Sequence, residues 1–208
     1  MTIRQGQWPI LIFNGIYLLA FASFYLSRKN YEFMIYIAVI VFFFLVILAT
    51  NQRVRYPNHI LWGLTAWSLM HMCGGGIHVG DHVLYGQMLI PLSSKYPVLR
   101  FDQFVHIVGF GVATLLMQHL LQPLLRPNLR TGTALSIVVV MAGLGAGALN
   151  EIVEFIAVVL VPETGVGGYE NTALDLVSDL IGAVLALIYI RWHERKAPHN
   201  STTAKTGN

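Results

Sequence analysis

Charged residues are scarce in this chain of 208 residues. They make up 11% of it, whereas a soluble domain has about a quarter. Hydrophobic residues make up 55%, and the mean hydropathy is +0.62. These values exclude an ordinary soluble domain and indicate an integral membrane protein. A pI near 9.1 does not indicate nucleic-acid binding, because Lys and Arg are scattered in ones and twos among apolar runs.

Cysteine is nearly absent as well. The chain has one, Cys73, which excludes an intramolecular disulfide and a thiolate-rich zinc site. No internal repeat of about 20–50 residues is visible, which excludes a repeat array. We therefore predict a single transmembrane domain over residues 1–197, followed by a disordered polar cytoplasmic tail over residues 198–208.

Long apolar runs are what the chain does have. Six of them are long enough to cross a membrane core of about 30 Å. They are Pro9–Leu26, Glu32–Thr50, His59–Cys73, Phe101–Gln122, Gly132–Val161 and Asn171–Arg191. The fold class predicted from them is all-α, a polytopic integral membrane helix bundle of six transmembrane helices. The first run could also be read as a signal peptide, but five further spans follow it.

The third run is short, and three glycines, Gly74–Gly76, follow it directly. Glycine weakens a helix, so we expect the backbone to unwind there. The next segment, Val79–Leu92, is closed by Pro91 and by the stretch Ser93–Pro97. We predict that it forms a short re-entrant or interfacial piece.

Lys and Arg are distributed unevenly between the two sides of the predicted bundle. If the chain crosses the membrane six times, nine Lys and Arg residues lie on the side of the termini and four lie on the opposite side. Cytoplasmic loops carry the excess of Lys and Arg. We therefore predict a multi-pass protein of the bacterial inner membrane with both termini in the cytoplasm.

Five carboxylates interrupt the last three spans. They are Asp102, Glu151, Glu154, Asp175 and Asp179. Lys and Arg are absent from the fourth and fifth spans and occur only at the far end of the sixth. Ionisable residues inside a membrane are costly and usually mark a functional site.

Residue counting places these carboxylates at one membrane level and on one side. Each lies in the outer part of its span, as do His106, four residues after Asp102, and His71 at the end of the third span. The acidic residues pair at spacings of three or four, so each pair shares a helix face. Each face continues into small residues such as Gly109, Gly147 and Gly182, which permit close helix packing. We expect the faces to meet in one buried polar site.

Clustered carboxylates repel one another, so either some of them hold protons or a cation lies among them. Histidine beside carboxylate favours zinc, iron or manganese over calcium or magnesium. The predicted metal ligands are His71, Asp102, His106, Glu151, Asp175 and Asp179. Glu154 is the predicted general base, if the metal assists hydrolysis or lipid-headgroup chemistry. The lipid bilayer is the only predicted partner.

Several alternatives remain at this point. Asp102 and Asp175 could simply cap helices, Asp175 in a capping box with Thr172. His78 and His82 could be solvated loop residues. The same carboxylates could serve a proton or metal-ion transporter, although the inner halves of the fifth and sixth spans are nearly all apolar. A non-catalytic structural role is the remaining possibility.

Four motifs give the chain a family resemblance. They are His71-Met72-Cys73-Gly74-Gly75-Gly76, the stretch from Leu99 to Gly111 (LRFDQFVHIVGFG), Asn150-Glu151-Ile152-Val153-Glu154-Phe155, and the stretch from Asp175 to Ala183 (DLVSDLIGA). Together they resemble the YjdF-type bacterial inner-membrane proteins, a family of unknown function. Their order is also similar, more loosely, to that of VanZ-like membrane proteins. The resemblance implies a membrane fold and one grouped site, and it implies no established activity; the stretch Ile77–His82 departs from the family pattern.

Overall fold

The computed structural model describes residues 3–125 and 131–196. Within them the chain folds into six α-helices, two very short strands and two 3-10 turns. The helices are α1 (Trp8–Ser27), α2 (Tyr31–Val54), α3 (Asn58–Gly76), α4 (Phe101–Leu121), α5 (Thr133–Leu160) and α6 (Tyr169–Lys196). The strands are β1 (His78–Val79) and β2 (His82–Val83), which pair antiparallel, and the 3-10 turns are Leu84–Gly86 and Gln122–Leu124.

This architecture confirms the predicted all-α polytopic membrane bundle. Five helices are long and apolar enough to cross a membrane; α3 is not among them. It carries the buried polar residues Thr65, Ser68 and His71, which lower its hydropathy. The other helices expose large apolar side chains, as expected of lipid-facing surfaces. The predicted tail, residues 198–208, lies outside the described residues.

Helix α4 packs against three other helices, α3, α5 and α6. A separate apolar core forms where α1, α2 and α3 meet, around Tyr25, Phe33 and Met72. The two ends of the bundle differ. Near the termini, Gln7 and Asn51 exchange side-chain hydrogen bonds, and Thr131 donates to Glu194. The site described below lies at the opposite end.

The prediction that Gly74–Gly76 unwind the third helix is wrong, because α3 continues through Gly76. The glycines serve close packing instead. A Cβ atom on Gly74 would collide with the ring of Tyr85, and one on Gly75 with the ring of Phe33. Aromatic rings therefore lie directly on the helix backbone, and these contacts outweigh the weak helix propensity of glycine.

Between α3 and α4 the chain forms the β1–β2 hairpin, the first 3-10 turn and an extended stretch. Gly80 has φ +61° in the hairpin turn, a conformation that glycine adopts freely. Met88 then bridges to Arg100, which returns the chain to the start of α4. Several apolar side chains of this segment are exposed, Leu92 among them at 64%. Such exposure is compatible with the predicted interfacial segment.

Buried polar side chains join α1 to α3. The Asn14 amide donates to Thr65 Oγ1 at 2.7 Å and to the Ile10 carbonyl at 2.8 Å. The Tyr17 hydroxyl donates to Asn14 Oδ1 at 2.9 Å and also contacts Ser68 Oγ. Sequence analysis did not identify this network, because single polar residues in apolar spans have no charge to reveal them.

We expect Asn14→Leu to lower the free energy of unfolding by about 1–2 kcal/mol, because it leaves Thr65 and Tyr17 without their shared partner. Unfolding of the purified protein in mixed detergent measures the change. Ile16→Leu, on the lipid-facing side of the same helix, is the control and should have little effect. An Asn14→Leu protein as stable as the wild type would show that the network contributes nothing to helix association.

Candidate functional site

One histidine and four carboxylates meet between α4, α5 and α6. We call them the His106 cluster: Asp102, His106, Glu151, Asp175 and Asp179. His106 is 3% exposed, and Asp175 and Asp179 are fully buried. All five were predicted site residues, and the structure brings them together at one level of the bundle.

The two ring nitrogens of His106 face different carboxylates. Nδ1 lies 2.9 Å from Asp179 Oδ1 and 4.0 Å from Glu151 Oε1. Nε2 lies 3.9 Å from Asp102 Oδ1. A carboxylate that accepts the Nδ1 proton fixes the tautomer and leaves Nε2 with its lone pair. Asp179 therefore orients the ring so that Nε2 faces Asp102.

Four carboxylate oxygens of the cluster are buried without a hydrogen-bond partner among the described residues. They are both oxygens of Glu151, Asp175 Oδ1 and Asp179 Oδ2. His106 makes every ion pair found in residues 3–125 and 131–196, so no Lys or Arg of these ranges forms a salt bridge with the cluster. Buried carboxylate oxygens without partners are costly, which calls for protons or a cation.

Two overlapping groups within the cluster could each hold an ion. The first is Asp102, His106 and Asp175, and the second is His106, Glu151 and Asp179. In each group the possible ligand atoms lie within 4.8 Å of one another. Ligand atoms around one tetrahedral zinc ion are about 3.4 Å apart, so the side chains of either group would have to move closer together to hold an ion.

Small residues bring the three helices close enough to form the cluster. A Cβ atom on Gly147 would collide with the Asp179 carboxylate, and one on Gly143 with Thr114 Oγ1. A Cβ atom on Gly182 would lie 2.9 Å from the Gly111 backbone nitrogen and closer still to the Ile107 carbonyl oxygen. The prediction that small residues mark the close helix contacts is confirmed at these positions.

A cavity of about 400 Å³ adjoins the cluster. It contains the remaining two predicted site residues, Glu154 and His71, and shares Asp102 with the cluster. Glu154 Oε1 accepts a hydrogen bond from the Asn150 amide at 2.8 Å. The structure thus places Glu154 and His71 beside the His106 cluster and outside both ion-sized groups.

His71 is held by Tyr85, which belongs to the 3-10 turn after the hairpin. The Tyr85 hydroxyl donates to the His71 carbonyl at 3.0 Å and also contacts His71 Nδ1. Burial raises the pKa of Tyr85 well above its ordinary value, so the hydroxyl keeps its proton. The tautomer of His71 decides which partner donates in the contact between the Tyr85 hydroxyl and Nδ1.

Several residues of the cavity were not predicted from the sequence. Glu32 is buried at the start of α2, where its carboxylate accepts from the Gly165 amide at 2.7 Å and from the Tyr36 hydroxyl at 3.2 Å. Asn171 donates to Asp175 Oδ2 at 2.5 Å and to Asp102 Oδ2 at 3.4 Å. The residue counting used for the other acids would also have placed Glu32 at this level. Tyr36 and Asn171 carry no comparable signal.

The structure also bears on the capping alternatives. Helix α6 begins at Tyr169, six residues before Asp175, so the alternative that Thr172 and Asp175 form a capping box is excluded. At the start of α4, the Arg100 backbone N–H donates to Gln103 Oε1 at 2.8 Å. Asp102 accepts from Asn171 instead. His82 lines the cavity, whereas His78 is exposed on β1.

One family model, described as predicted membrane protein (DUF2238), matches residues 9–196. No curated protein and no solved structure matches the chain. The match covers nearly all of the described residues, including the cluster and the cavity. It agrees with the YjdF-type resemblance, whereas the similarity to VanZ-like proteins stays a likeness of motif order.

Proposed function

The chain belongs to the DUF2238 family of predicted membrane proteins, and we propose that its function depends on a divalent metal ion bound by the His106 cluster. One observation carries this proposal: two fully buried and two partly buried carboxylates surround a single imidazole, and four of their oxygens are buried without a hydrogen-bond partner among the described residues. A divalent cation would supply the missing positive charge and a partner for the carboxylate oxygens that it contacts.

Within the cluster, we favour the group of Asp102, His106 and Asp175 as the metal ligands. The hydrogen bond from His106 Nδ1 to Asp179 leaves Nε2 as the donor atom, and Nε2 faces Asp102. Asp175 Oδ1 is unpartnered, while its Oδ2 is held by Asn171. Asp179 then orients the histidine, in the carboxylate–histidine–metal pattern common in metal sites.

This donor set selects among metals. One imidazole nitrogen with carboxylate oxygens suits zinc, iron or manganese, whereas calcium and magnesium prefer oxygen alone. Cys73 is not part of the cluster, so no thiolate adds to the site. We therefore expect zinc, iron or manganese in the purified protein.

Metal analysis of detergent-purified protein tests the proposal. We expect about one ion per chain in the wild type, and Asp175→Asn should weaken binding by more than about tenfold because it removes a ligand charge. Glu151→Gln, outside the favoured group, should retain the metal. Loss of metal in Glu151→Gln but not in Asp175→Asn would show that the metal is bound by the second group, which is His106, Glu151 and Asp179.

A wild type without stoichiometric metal would contradict the proposal. In that case, proton or metal-ion flux in liposomes that is lost in Glu154→Gln would support the transporter alternative. Normal folding of Glu154→Gln and Glu151→Gln with neither metal nor flux would support a structural role for protonated acids.

The cavity gives the proposed site a place for chemistry. A bound divalent metal lowers the pKa of its water, and a nearby carboxylate can take the proton. Glu154 lies in the cavity that Asp102 shares with the cluster, which suits it to the role of general base. We therefore propose metal-assisted hydrolysis or lipid-headgroup chemistry as the reaction class.

A further inference from the structure

The cavity beside the His106 cluster is lined by two chemically different sets of side chains. One set is aromatic and acidic, and the other is the guanidinium group of Arg100. We propose that this cavity binds a phosphate ester that carries an organic ammonium group, supplied as the headgroup of a membrane phospholipid. This inference rests on the proposed function, because it names the substrate class of the same site.

Four rings in mutual contact line the cavity. The centroid of the His71 ring lies 5.2 Å from that of Tyr36 and 5.7 Å from that of Tyr85, and Phe33 lies 5.2 Å from Tyr36. Glu32 and Glu154 lie in the same cavity. Aromatic faces combined with carboxylates recognise ammonium groups through cation–π attraction and charge.

Arg100 offers the cavity an anion site. Arg100 lines the cavity, and its Nε atom is buried without a hydrogen-bond partner in the described part of the chain. No carboxylate of residues 3–125 and 131–196 forms an ion pair with it. Arg100 immediately precedes α4, and the partial positive charge of the helix dipole at that end also favours anions. A phosphate group would partner this guanidinium.

The size and position of the cavity favour a lipid headgroup as the ligand. A volume of about 400 Å³ is within the range of small-molecule sites, which is about 300–1,000 Å³. The segment that forms one side of the cavity exposes apolar side chains, and Ile90 at 53% is among them. Such residues anchor a segment at the membrane interface. The cavity therefore lies where phospholipid headgroups lie.

Binding of defined lipids to the full chain tests the inference. The protein is purified in detergent, treated with a chelator, and titrated with phosphatidylethanolamine and with phosphatidylglycerol, which has the phosphate but no ammonium group. We expect phosphatidylethanolamine to bind at least about tenfold more tightly. Equal affinity for the two lipids would overturn the inference.

Substitutions at Tyr36 separate the role of its ring from that of its hydroxyl. Tyr36→Leu should reduce the preference for phosphatidylethanolamine by about tenfold, whereas Tyr36→Phe should preserve it, since the ring face makes the contact. Tyr169→Leu, at an exposed position at the start of α6, is the matched control and should behave as the wild type. Thermal unfolding of each variant checks that it is folded. A preference that survives in folded Tyr36→Leu would overturn the inference.

Soluble phosphoethanolamine distinguishes the source of the ligand. If it binds as tightly as the lipid, the shared ammonium–phosphate chemistry is supported, and a soluble metabolite replaces the lipid as its source. Metal analysis of the same preparations before chelation keeps the two proposals apart. Stoichiometric metal without a lipid preference overturns only this inference, and a lipid preference without metal overturns only the metal proposal.

Discussion

Replacing His106 with alanine is expected to leave the purified protein without bound metal. His106 supplies the only nitrogen donor of the favoured group and lies between four carboxylates. Losing it should weaken metal binding by more than about 100-fold, beyond the range usual for residues that only orient a ligand. Inductively coupled plasma mass spectrometry of the purified protein, followed by titration with zinc, iron(II) and manganese(II), measures the loss.

Two comparison variants define what this loss means. His78→Ala changes an exposed histidine of β1 and should retain the wild-type metal content. Asp179→Asn keeps an oxygen that can accept the Nδ1 proton but removes a charge, so we expect an intermediate loss of about 10–100-fold. Wild-type affinity in a folded His106→Ala protein would contradict the assignment of His106 as a ligand.

Gly182→Val is expected to have the largest effect on folding. At this position α4 and α6 approach each other backbone to backbone, and a Cβ atom would collide with the Ile107 carbonyl oxygen. Backbone atoms cannot rotate away as a side chain can, so the helices would have to separate. We expect a loss of about 3 kcal/mol or more in the free energy of unfolding, and a lower metal content because Asp179 would move away from His106.

Gly145→Val is the matched control for this prediction. Gly145 lies in α5, and a Cβ atom there would meet nothing within 4 Å. The same substitution in the same kind of helix should therefore change stability little. Detergent unfolding and metal analysis of both variants make the comparison. Equal stability of the two proteins would show that the close approach of α4 and α6 does not hold the bundle together.

Much of the site could be predicted because buried charge in a membrane is so conspicuous. Asp102, His106, Glu151, Asp175 and Asp179 are found by counting residues along apolar spans, and the structure brings all five together. The helix bounds also follow closely from the apolar runs. The helix bounds and the positions of these charged residues both depend on local sequence, since a membrane span must be long and apolar whatever its neighbours are.

Other features could not be predicted because they depend on contacts between distant parts of the chain. Gly74–Gly76 were expected to unwind α3, yet rings of α2 and of the hairpin segment pack against them and keep them helical. Glu32 joins the cavity through its hydrogen bond to Gly165, which is 133 residues away. Tyr85 donates a hydrogen bond to His71 from a segment for which the sequence predicted only a re-entrant or interfacial piece.

The sequence by itself determined that this is a membrane helix bundle with a group of carboxylates and a histidine at one level, because hydropathy and helical spacing are local properties. The tertiary structure decided which oxygens are left without partners, which nitrogen of His106 is free, and where the cavity lies. Those depend on how closely α4, α5 and α6 approach one another, and that distance is set by the glycines of one helix against the backbone and side chains of another.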